Sequence, residues 1–436
     1  MMNKSILERG KSLEVKGDRI MAKKLFAFLG IGDYKSVEYY FQNKNEGYKT
    51  EYIQEAITKL LDEQDLNVTV FVTEEARKKH WEPESNIGLK SKLEKLNINC
   101  KAVDIPDGKA NNDVWKIFLN VYNEIDINDE IYVDVTHSLR NIPIIFMSVL
   151  NYAKVAKNCI IKGIFYGAYE AKENDRAPIY DLTLFDQIGE WSSGVEQLLM
   201  TGECEMFCST VEKTLGPLLR EAKGTDELIK LVKKCSKLIK EFYTDLKLVR
   251  GKSVLEDGRK LYQVLCEIKA LNTEKHITMQ PFFHILERVE NQVAFFQNEN
   301  LIENILECVK LCKKFGQYQQ AYTFLRENII NYVCINTGLD WKKEDPDRLK
   351  AEELIGKLYM RKIKKVQIEV SEDIKSILEN GEDFICDDAI ELFGELIEFR
   401  NDLDHAQFRM INPSKDKITC KLDSFIERFE KYYISK

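Results

Sequence analysis

Two kinds of hydrophobic pattern divide this chain. From Lys24 to about Asp186, short apolar, β-branched or aromatic runs alternate with stretches whose apolar residues recur at helical spacing. The short runs are predicted strands, at residues 25–29, 68–73, 98–103, 131–136 and 159–166. The longer stretches are predicted helices, at residues 51–63, 88–96, 112–125 and 142–155. This alternation predicts an α/β, Rossmann-like N-terminal domain with a parallel-rich sheet.

The second half of the chain has a different pattern. Strand signals fade between Asp186 and Gly194, and charged and apolar residues then recur at helical spacing to the C-terminus, as in 228–248, 283–315 and 318–334. We therefore expect a loose N-terminal extension over residues 1–20, the α/β domain over 21–190 and an all-α helical domain over 191–436.

Composition restricts the partners of the chain. With 436 residues, of which 44% are hydrophobic, it can fill more than one core. The 72 acidic and 64 basic residues give a net charge of −8, which opposes wholesale attraction to nucleic acid. Any RNA contact needs a local basic patch. The run Arg361-Lys362-Ile363-Lys364-Lys365 is one candidate, although such runs are more often solvated faces.

The eleven cysteines follow no framework. Cys204 with Cys208 and Cys308 with Cys312 are spaced at helical intervals, and neither pair has nearby His or Cys residues that would complete a metal site. We expect reduced thiols and no metal. Because there is no apolar stretch of about 18 residues and no signal-peptide pattern, we also expect a soluble, cytoplasmic protein with no membrane contact.

Two polar segments follow predicted strands in the N-terminal half. Gly30-Ile31-Gly32-Asp33-Tyr34 comes after the first strand, and Asp134-Val135-Thr136-His137-Ser138-Leu139-Arg140 comes before the helix at Ile142. Ligands of open α/β sheets bind at such strand ends, where a helix N-terminus and Arg140 can hold phosphates. The dinucleotide fingerprint is incomplete, because Ser36-Val37 stands where its third glycine belongs. Thr136 or Ser138 could equally be a helix cap, with His137 an ordinary turn residue.

A third segment, Arg400-Asn401-Asp402-Leu403-Asp404-His405, lies near the C-terminus. On a helix, Asn401 and His405 share a face, whereas Arg400 and His405 are about 140° apart. RNA carries its own nucleophile, the 2′-hydroxyl, so an imidazole for proton transfer and a guanidinium for the phosphate are sufficient for cleavage. A twofold dimer would bring two copies of each to one cleft. The alternative is structural, with Arg400 and Asp404 forming an ordinary i,i+4 ion pair.

Taken together, these segments resemble those of a known family. Arg400 to His405 resembles the R-x(4–6)-H signature of HEPN ribonucleases, and Asp134 to Arg140 is similar to the D-x-T-H-G-x-R motif of CARF domains. Gly30 to Tyr34 with Tyr39-Tyr40 also resembles the first-strand motif of CARF domains, and Gln320-Ala321-Tyr322 with Glu327-Asn328 resembles the opening HEPN helix. The chain thus resembles the CARF–HEPN ancillary ribonucleases of type III CRISPR systems.

That resemblance implies a function. A homodimer, or a higher homo-oligomer, would bind a cyclic oligoadenylate in the CARF cleft and then cleave single-stranded RNA in the HEPN cleft, without a metal and with a 2′,3′-cyclic phosphate product. Cyclic tetra-adenylate is expected ahead of cyclic hexa-adenylate. Arg400 would stabilise the phosphate, His405 would act as acid or base, and Asn401 would support His405. The implied ligand-binding residues are Gly30, Gly32, Asp33, Tyr34, Thr136, His137, Ser138, Leu139 and Arg140.

The chain departs from the CARF motif at one position. Ser138 stands where the family usually has glycine, which leaves the size and orientation of the ligand open. Two rival functions also stay open. The chain could be a ligand-binding regulator without nuclease activity, or its CARF domain could degrade the bound messenger with help from Thr136 or His137.

Overall fold

The computed structural model describes residues 21–84, 87–137, 142–221, 225–271, 279–368, 375, 385–408 and 413–434. Ser138, Leu139 and Arg140 of the predicted ligand site lie outside these residues. The chain divides into two compact units, Met1–Asp186 and Gln187–Lys436. This division is at residue 186, whereas the sequence pattern placed it at 190, and it lies inside a helix that spans Thr183–Thr201.

The first unit contains a mixed sheet of eight strands in the order β3-β2-β8-β7-β6-β1-β4-β5. Neighbours from β7 through β6, β1 and β4 to β5 are parallel, as are β2 and β8, whereas β2–β3 and β7–β8 are antiparallel. The strands are β1 Lys23–Leu29, β2 Val37–Phe41, β3 Gly47–Thr50, β4 Leu66–Val72, β5 Asn99–Asp104, β6 Glu130–Asp134, β7 Ile160–Gly167 and β8 Arg176–Asp181.

The predicted Rossmann-like fold is confirmed, with three additional strands. The five predicted strands correspond to β1, β4, β5, β6 and β7, and the predicted helices correspond to α1, α3, α4 and α5. The sequence pattern missed β2, β3 and β8, which make one side of the sheet mixed. The helices of this unit are α1 Ile53–Leu61, α2 Glu74–Ala76, α3 Leu89–Lys95, α4 Asn111–Asn123, α5 Ile142–Lys157 and the start of α6 Thr183–Thr201.

The sheet separates two hydrophobic cores, and the central strand β1 contributes to both. Leu25 and Leu29 belong to one core, while Phe26 and Phe28 belong to the other, because successive side chains of a strand point to opposite faces. Phe26 and Phe28 both contact the ring of Phe146 on α5, at 6.2 and 5.3 Å between centroids. Burial of each such ring contributes about 1.5–3 kcal/mol, so the apolar pattern of β1 fixes its central place.

The position of β1 creates a crevice at one edge of the sheet. It lies between β6 and β4 and is parallel to both. The chain adds β4 and β5 on one side of β1, and after β6 it adds β7 and β8 on the other side, so the order of strands reverses between β1 and β6. Ligands of open α/β sheets bind at such a switch point, outside the carboxyl ends of the strands. The loops that follow β1 and β6 therefore flank a natural ligand site.

The second unit is entirely helical in its described residues. One predicted helical stretch, 283–315, is interrupted by a 3₁₀ turn at Ala294–Gln297, after which the Asn300 side chain caps the next helix by accepting from the amides of Ile302 and Glu303. The helices are the rest of α6, α7 Glu205–Glu221, α8 Glu227–Lys247, α9 Gly251–Ala270, α10 Gln280–Val293, α11 Leu301–Lys314, α12 Tyr318–Thr337, α13 Leu349–Leu358, α14 Asp387–Asp404 and α15 Lys415–Phe429.

Aromatic packing fixes the position of α14. Phe399 of α14 stacks on Tyr322 of α12, with ring centroids 6.1 Å apart, and meets Phe425 of α15 edge-on at 5.5 Å. The Tyr322 hydroxyl donates to the carbonyl of Ile418 at 2.7 Å, which satisfies the polar end of this buried ring. The last turn of α14, which contains Arg400, is therefore held in place by these aromatic contacts.

Candidate functional site

A cavity of about 770 Å³ lies at the carboxyl ends of the parallel strands in the first unit. Gly30 and Ile31 line it after β1, residues 73–75 and 78 after β4, residues 105–107 and 109 after β5, and His137 after β6. Of the predicted ligand residues, the cavity wall thus brings together Gly30 and His137. Gly32, Asp33, Tyr34 and Thr136 are not among the residues that line the cavity, and Gly32 and Asp33 are exposed.

The loop after β1 is held by contacts to its own backbone. The amide of Gly30 donates to the Tyr34 hydroxyl at 2.8 Å, and that hydroxyl faces the Gly30 carbonyl at 3.2 Å. A Cβ atom at Gly30 would stand 3.5 Å from the same hydroxyl, and one at Gly32 would meet no atom within 4 Å. The loop is therefore closed by Tyr34, and steric crowding alone does not require glycine at either position.

Residues of a π-helical turn, Arg77–Trp81, clamp this loop from the other side. Lys79 donates to the Ile31 carbonyl at 2.7 Å and pairs with Asp33 at 2.8 Å, which lowers the pKa of the Asp33 carboxyl. His80 Nε2 lies 2.7 Å from the Gly32 carbonyl oxygen. Since a carbonyl only accepts, Nε2 must carry the proton. Asp33, which was expected to contact ligand, is therefore engaged by Lys79.

Three aromatic rings stack beside the cavity. The Tyr34 ring lies between the imidazoles of His80 and His137, at centroid distances of 4.2 and 4.3 Å. This stack links the loops that follow β1 and β6 across the switch point. No motif in the sequence includes His80, and it is the turn Arg77–Trp81 that brings its ring onto Tyr34.

The carboxylate of Asp134 organises the loop after β6. It is fully buried and accepts hydrogen bonds from the amide and hydroxyl of Thr136, at 3.0 and 2.5 Å, and from Gln54 Nε2 at 2.8 Å. Burial raises the pKa of Asp134 to about 6, against the lowering effect of these hydrogen bonds. The Thr136 hydroxyl also accepts from the amide of Gly167 at 2.8 Å, so both its donor and one acceptor position are engaged.

Gln54 is a site residue that sequence reasoning missed. It is a fully buried amide on α1, and its Nε2 donates to the Phe28 carbonyl of β1 as well as to Asp134 of β6. It thereby joins the two strands that flank the switch point. No sequence motif signals this role, because a glutamine on a helix gives no sign of being buried.

His137 has a different character from the engaged groups around it. Burial, and to a lesser degree the neighbouring His80, lowers the pKa of His137 to about 4, so that the ring is neutral near pH 7. Its Nε2 atom is buried and has no hydrogen-bond partner among the described residues. A neutral imidazole beside a cavity, with one nitrogen that lacks a partner, can donate to, or accept from, a polar ligand that reaches that nitrogen.

The described cavity wall carries little net charge. Lys78 pairs with Glu74 at 2.6 Å, and Lys109 pairs with Asp107 at 2.5 Å, which leaves Glu75 as an additional acid. This part of the wall suits sugar or base groups better than phosphates. The predicted role of Arg140 in phosphate binding stays a prediction.

In the helical unit, Arg400 and His405 lie at the end of α14. His405 is the residue that follows the last helical position, and its amide donates to the Asn401 carbonyl at 3.1 Å. Its side chain is exposed, whereas Arg400 is half-buried. The chain then leaves through Ala406 and Gln407, both with positive φ, to Phe408, which is 94% exposed. His405 therefore stands at an open helix end.

The guanidinium of Arg400 is surrounded by polar groups. Its Nε lies 2.9 Å from Asp404, in a contact whose angle does not make a hydrogen bond, and its Nη1 donates to Asn401 Oδ1 at 3.3 Å. Gln319 of α12 donates to the same Asp404 at 3.3 Å. Asn401 was expected to support the His405 ring, but its carboxamide contacts Arg400 in this structure.

The basic run at 361–365 lies far from these residues along α14. Lys362 pairs with Asp387, the first residue of α14, at 3.4 Å, and Lys364 stands over the Tyr359 ring. Asp387 and Arg400 are thirteen residues apart, or about 20 Å at 1.5 Å per residue. Within one chain, this run is therefore not a patch beside Arg400 and His405.

Comparison with known proteins shows which family the first unit matches. Residues 24–170, which contain the crevice and both of its flanking loops, match the family described as "CRISPR system endoribonuclease Csx1, CARF domain". The first unit contains a CARF domain. The prediction of a CARF-containing CRISPR ancillary protein is thereby confirmed at this level, and the match does not extend into the helical unit.

Two individual proteins are similar to the chain. "CRISPR-associated protein MJ1674" of Methanocaldococcus jannaschii is 25% identical over 288 residues, which cover 56% of this chain and 44% of that protein. The CARF-containing chain thus spans less than half the length of this curated relative. The solved structure "Enterococcus italicus Csm6 bound to cyclic hexa-2'-fluoro-hexa-dAMP" aligns over 94% of this chain and 93% of its own, with 11% identity and a TM-score of 0.33.

Neither a metal-binding cluster nor a membrane-spanning helix occurs among the described residues. There is no group of three or more His, Cys, Asp or Glu side chains placed to hold a metal ion. No helix in the same part of the chain combines the length and the apolar composition that a membrane span requires.

Proposed function

We propose that this chain is a cyclic-oligoadenylate-activated endoribonuclease of type III CRISPR defence. Its CARF domain binds the messenger, and the end of α14 cleaves single-stranded RNA. The observation that carries the proposal is the combination of a Csx1-type CARF domain with Arg400 and His405 at an open helix end in the following unit. Cyclic tetra-adenylate is the activator we expect, ahead of cyclic hexa-adenylate.

The ligand site in this proposal uses the crevice around β1. Gly30 and His137 form its described wall, Tyr34 and His80 hold the loop after β1, and Thr136 holds the loop after β6. The Nε2 atom of His137, which has no partner among the described residues, would contact a ribose or base edge. The sequence positions of Arg140 and of the α5 N-terminus suit phosphate binding.

Cleavage in this proposal uses the RNA itself as the nucleophile. One His405 takes the 2′-hydroxyl proton, the 2′-oxygen attacks phosphorus, and the bond from phosphorus to the 5′-oxygen breaks. A second His405 protonates the departing oxygen, and Arg400 stabilises the charge on the phosphorane. The products are a 2′,3′-cyclic phosphate and a 5′-hydroxyl, and the step requires no metal.

This chemistry needs two copies of the chain, because one copy supplies a single imidazole at the helix end. The face of α4 and α5 offers a surface for pairing: Trp115, Leu119, Tyr152 and Val155 are 67%, 52%, 53% and 89% exposed. Large exposed apolar patches are typical of association sites, and a homodimer uses the same patch twice. We therefore propose that this face mediates dimerisation.

The dimer has its own test. Leu119→Lys with Trp115→Ser should give a monomer in light scattering after gel filtration, with loss of activated cleavage. Met200→Lys changes an exposed methionine of α6 in the same way and should leave the dimer intact. A double variant that stays dimeric and active would remove the α4–α5 face from the proposal.

The function is tested with fluorescence-quenched RNA incubated with the full chain and cyclic tri-, tetra- or hexa-adenylate, in the presence of EDTA. We expect cleavage with one ring size, and a loss of about 10³-fold or more in His405→Ala and Arg400→Ala. Cleavage that persists in His405→Ala would remove that residue from the mechanism. Ligand binding without cleavage under any condition would favour a regulator that has no nuclease activity.

Degradation of the messenger is a second candidate function, favoured by one observation. His137 is neutral near pH 7 and its buried Nε2 has no partner among the described residues, so it could accept the proton of a ribose 2′-hydroxyl of the bound ring that reaches it. Incubation of labelled cyclic tetra-adenylate with the Arg400→Ala protein tests this. Linear product that disappears in Arg400→Ala combined with His137→Ala would support it, and an intact ring would exclude it.

A further inference from the structure

A groove in the helical unit connects to the candidate nuclease residues along α12. Three cavities, of about 340, 660 and 380 Å³, share the side chain of Lys252 on α9. Trp341 lines the first and second cavities, while Glu327 and Arg348 line the first and third. These shared side chains make the three cavities neighbours, and we treat them together as one groove between α9, α12 and the loop that follows α12.

The groove carries cations without acidic partners. Lys252, Arg259 and Lys342 have no carboxylate within ion-pair distance among the described residues. Arg259 Nε is buried and lacks a hydrogen-bond partner in the same part of the chain, and Arg259 Nη2 makes only a long contact of 3.5 Å to the Glu299 carbonyl. An unpaired guanidinium that faces a cavity of about 660 Å³ is a ready site for an anionic group.

The carboxylates of the groove are mostly paired within it. Glu256 pairs with Lys260 at 2.7 Å, Glu327 pairs with Arg326 and Arg348, and Glu352 pairs with Arg326. Their charges are therefore largely compensated, so that the unpaired cations around Trp341 determine the local field. A phosphate is expected at the Arg259 and Lys342 side of the groove, away from the paired acids.

Trp341 adds a stacking surface to these cations. Its indole is half-buried, lines two of the three cavities and has the Lys342 ammonium 5.4 Å from its ring centroid. Its carbonyl accepts from Arg348 at 3.1 Å, which fixes the loop. Aromatic rings next to basic side chains are the usual elements of single-strand recognition, because every base offers a face for stacking.

The groove reaches the nuclease residues through one face of α12. Gln319, which contacts Asp404 at the end of α14, is followed one turn later by Thr323 and two turns later by Glu327, both of which line the groove. At 1.5 Å per residue, Thr323 and Glu327 are about 6 and 12 Å from Gln319 along the helix. A strand that passes Arg400 could therefore continue into the groove.

We propose that this groove binds the single-stranded RNA substrate beyond the cleavage point, with phosphates at Arg259, Lys252 and Lys342 and one base on Trp341. The proposal rests on the proposed ribonuclease function, because it assigns a substrate subsite to that activity. It gives the chain an RNA contact other than the run at 361–365, which contacts the opposite end of α14.

Binding is measured by fluorescence anisotropy of labelled RNA with the full chain carrying His405→Ala, with and without cyclic tetra-adenylate. Arg259→Glu with Lys342→Glu should weaken binding of a 20-mer by about tenfold or more and reduce the slope of log K against log salt by about 1.4, for two phosphate contacts. Trp341→Ala should weaken binding by about fivefold or more, and Trp341→Phe should restore most of it. Lys237→Glu, an exposed lysine of α8, is the matched control.

The outcomes separate this proposal from the proposed function. Unchanged 20-mer binding in the double variant, or an equal loss in Lys237→Glu, would overturn the groove even if the wild-type chain cleaves RNA. Groove-dependent binding without cleavage would support the groove and overturn the nuclease. In the active chain, Trp341→Ala should raise KM for a 20-mer and leave kcat unchanged, whereas a trinucleotide should be cleaved as before. If the Glu substitutions unfold the protein, Arg259→Gln with Lys342→Gln provides the same comparison.

Discussion

His80 Nε2 lies 2.7 Å from the carbonyl oxygen of Gly32, so that a residue from the turn after β4 holds the loop after β1. Removal of this bond should loosen the proposed ligand loop and leave Arg400 and His405 undisturbed. His80→Phe keeps the ring that stacks on Tyr34 but lacks the donor, and should weaken binding of cyclic tetra-adenylate about fivefold, the size of one net hydrogen bond. His80→Ala loses both contacts and should bind more weakly still.

Calorimetric titration of the two variants measures this order. His284→Ala, at an exposed histidine of α10, is the control and should bind as the wild type does. Equal affinity of His80→Phe and wild type would show that the Gly32 bond does not position the loop.

Asp404 should restrain the phosphate-binding capacity of Arg400, because its carboxylate lies 2.9 Å from the guanidinium Nε. Asp404→Asn removes a charge that repels phosphate and that also opposes the helix dipole at this end. We expect KM for RNA to fall about two- to fivefold, in line with the small energies of exposed ion pairs. The free energy of unfolding should change by no more than about 0.5 kcal/mol.

The control for Asp404 is Asp388→Asn, which makes the same change in charge at the other end of α14. It should leave KM unchanged. It should lower the free energy of unfolding by a few tenths of a kcal/mol, since an acid at a helix N-terminus is favourable. A rise in KM in Asp404→Asn would show that Asp404 instead orients Arg400 for catalysis.

Asp134 should make the stability of the CARF domain depend on pH. Its folded pKa of about 6 lies above the ordinary value of 3.8, so its contribution is fully present below about pH 4 and is lost as the pH rises through 6. Relative to Asp134→Asn, the free energy of unfolding of the wild type should fall by on the order of 3 kcal/mol over this range and then show no further change.

Urea unfolding of both proteins at pH 4, 5, 6, 7 and 8 gives this difference directly. His137 titrates in both proteins, so its effect cancels. A wild type that gains stability over the variant with rising pH would mean that the hydrogen bonds from Thr136 and Gln54 outweigh the cost of burying the charge.

Gly394 should resist substitution although it lies inside a helix. A Cβ atom there would clash with the ring of Tyr359, so Gly394→Ala should destabilise by about 1–2 kcal/mol, after overpacking is set against better helix propensity. Gly356→Ala in α13 meets no atom within 4 Å and should stabilise by about 0.5–1 kcal/mol. Thermal unfolding measures both, and stabilisation by Gly394→Ala would mean that the Tyr359 ring moves aside freely.

The sequence predicted the centre of the sheet well and its mixed side poorly. β1 and β4 are apolar on both faces, because helices cover both sides of the sheet there, and this produces a clear signal. β3 has four residues with one buried position, and β8 contains Pro178, which argues against a strand in any reading of a sequence. The pairing of β3 with β2, and of β8 with β2 and β7, shows that they belong to the sheet.

The candidate site was predictable where a motif spans consecutive residues. Gly30 and His137 fall in two such segments and meet at one cavity. Gln54 and His80 act through contacts between elements, over 80 and 48 residues of chain. Such partners depend on tertiary packing, so that a single sequence holds no local sign of them.

The hydroxyl of Thr136 bridges Asp134 and Gly167 through hydrogen bonds made within the protein. The conformational entropy of Asp134 to Thr136 is therefore lost when the polypeptide folds. It is not lost again when a nucleotide ring binds. Association at this wall should therefore approach the speed of a rigid receptor. Under the proposed function, a lag between messenger arrival and cleavage would then have its origin in the relative movement of the proposed subunits.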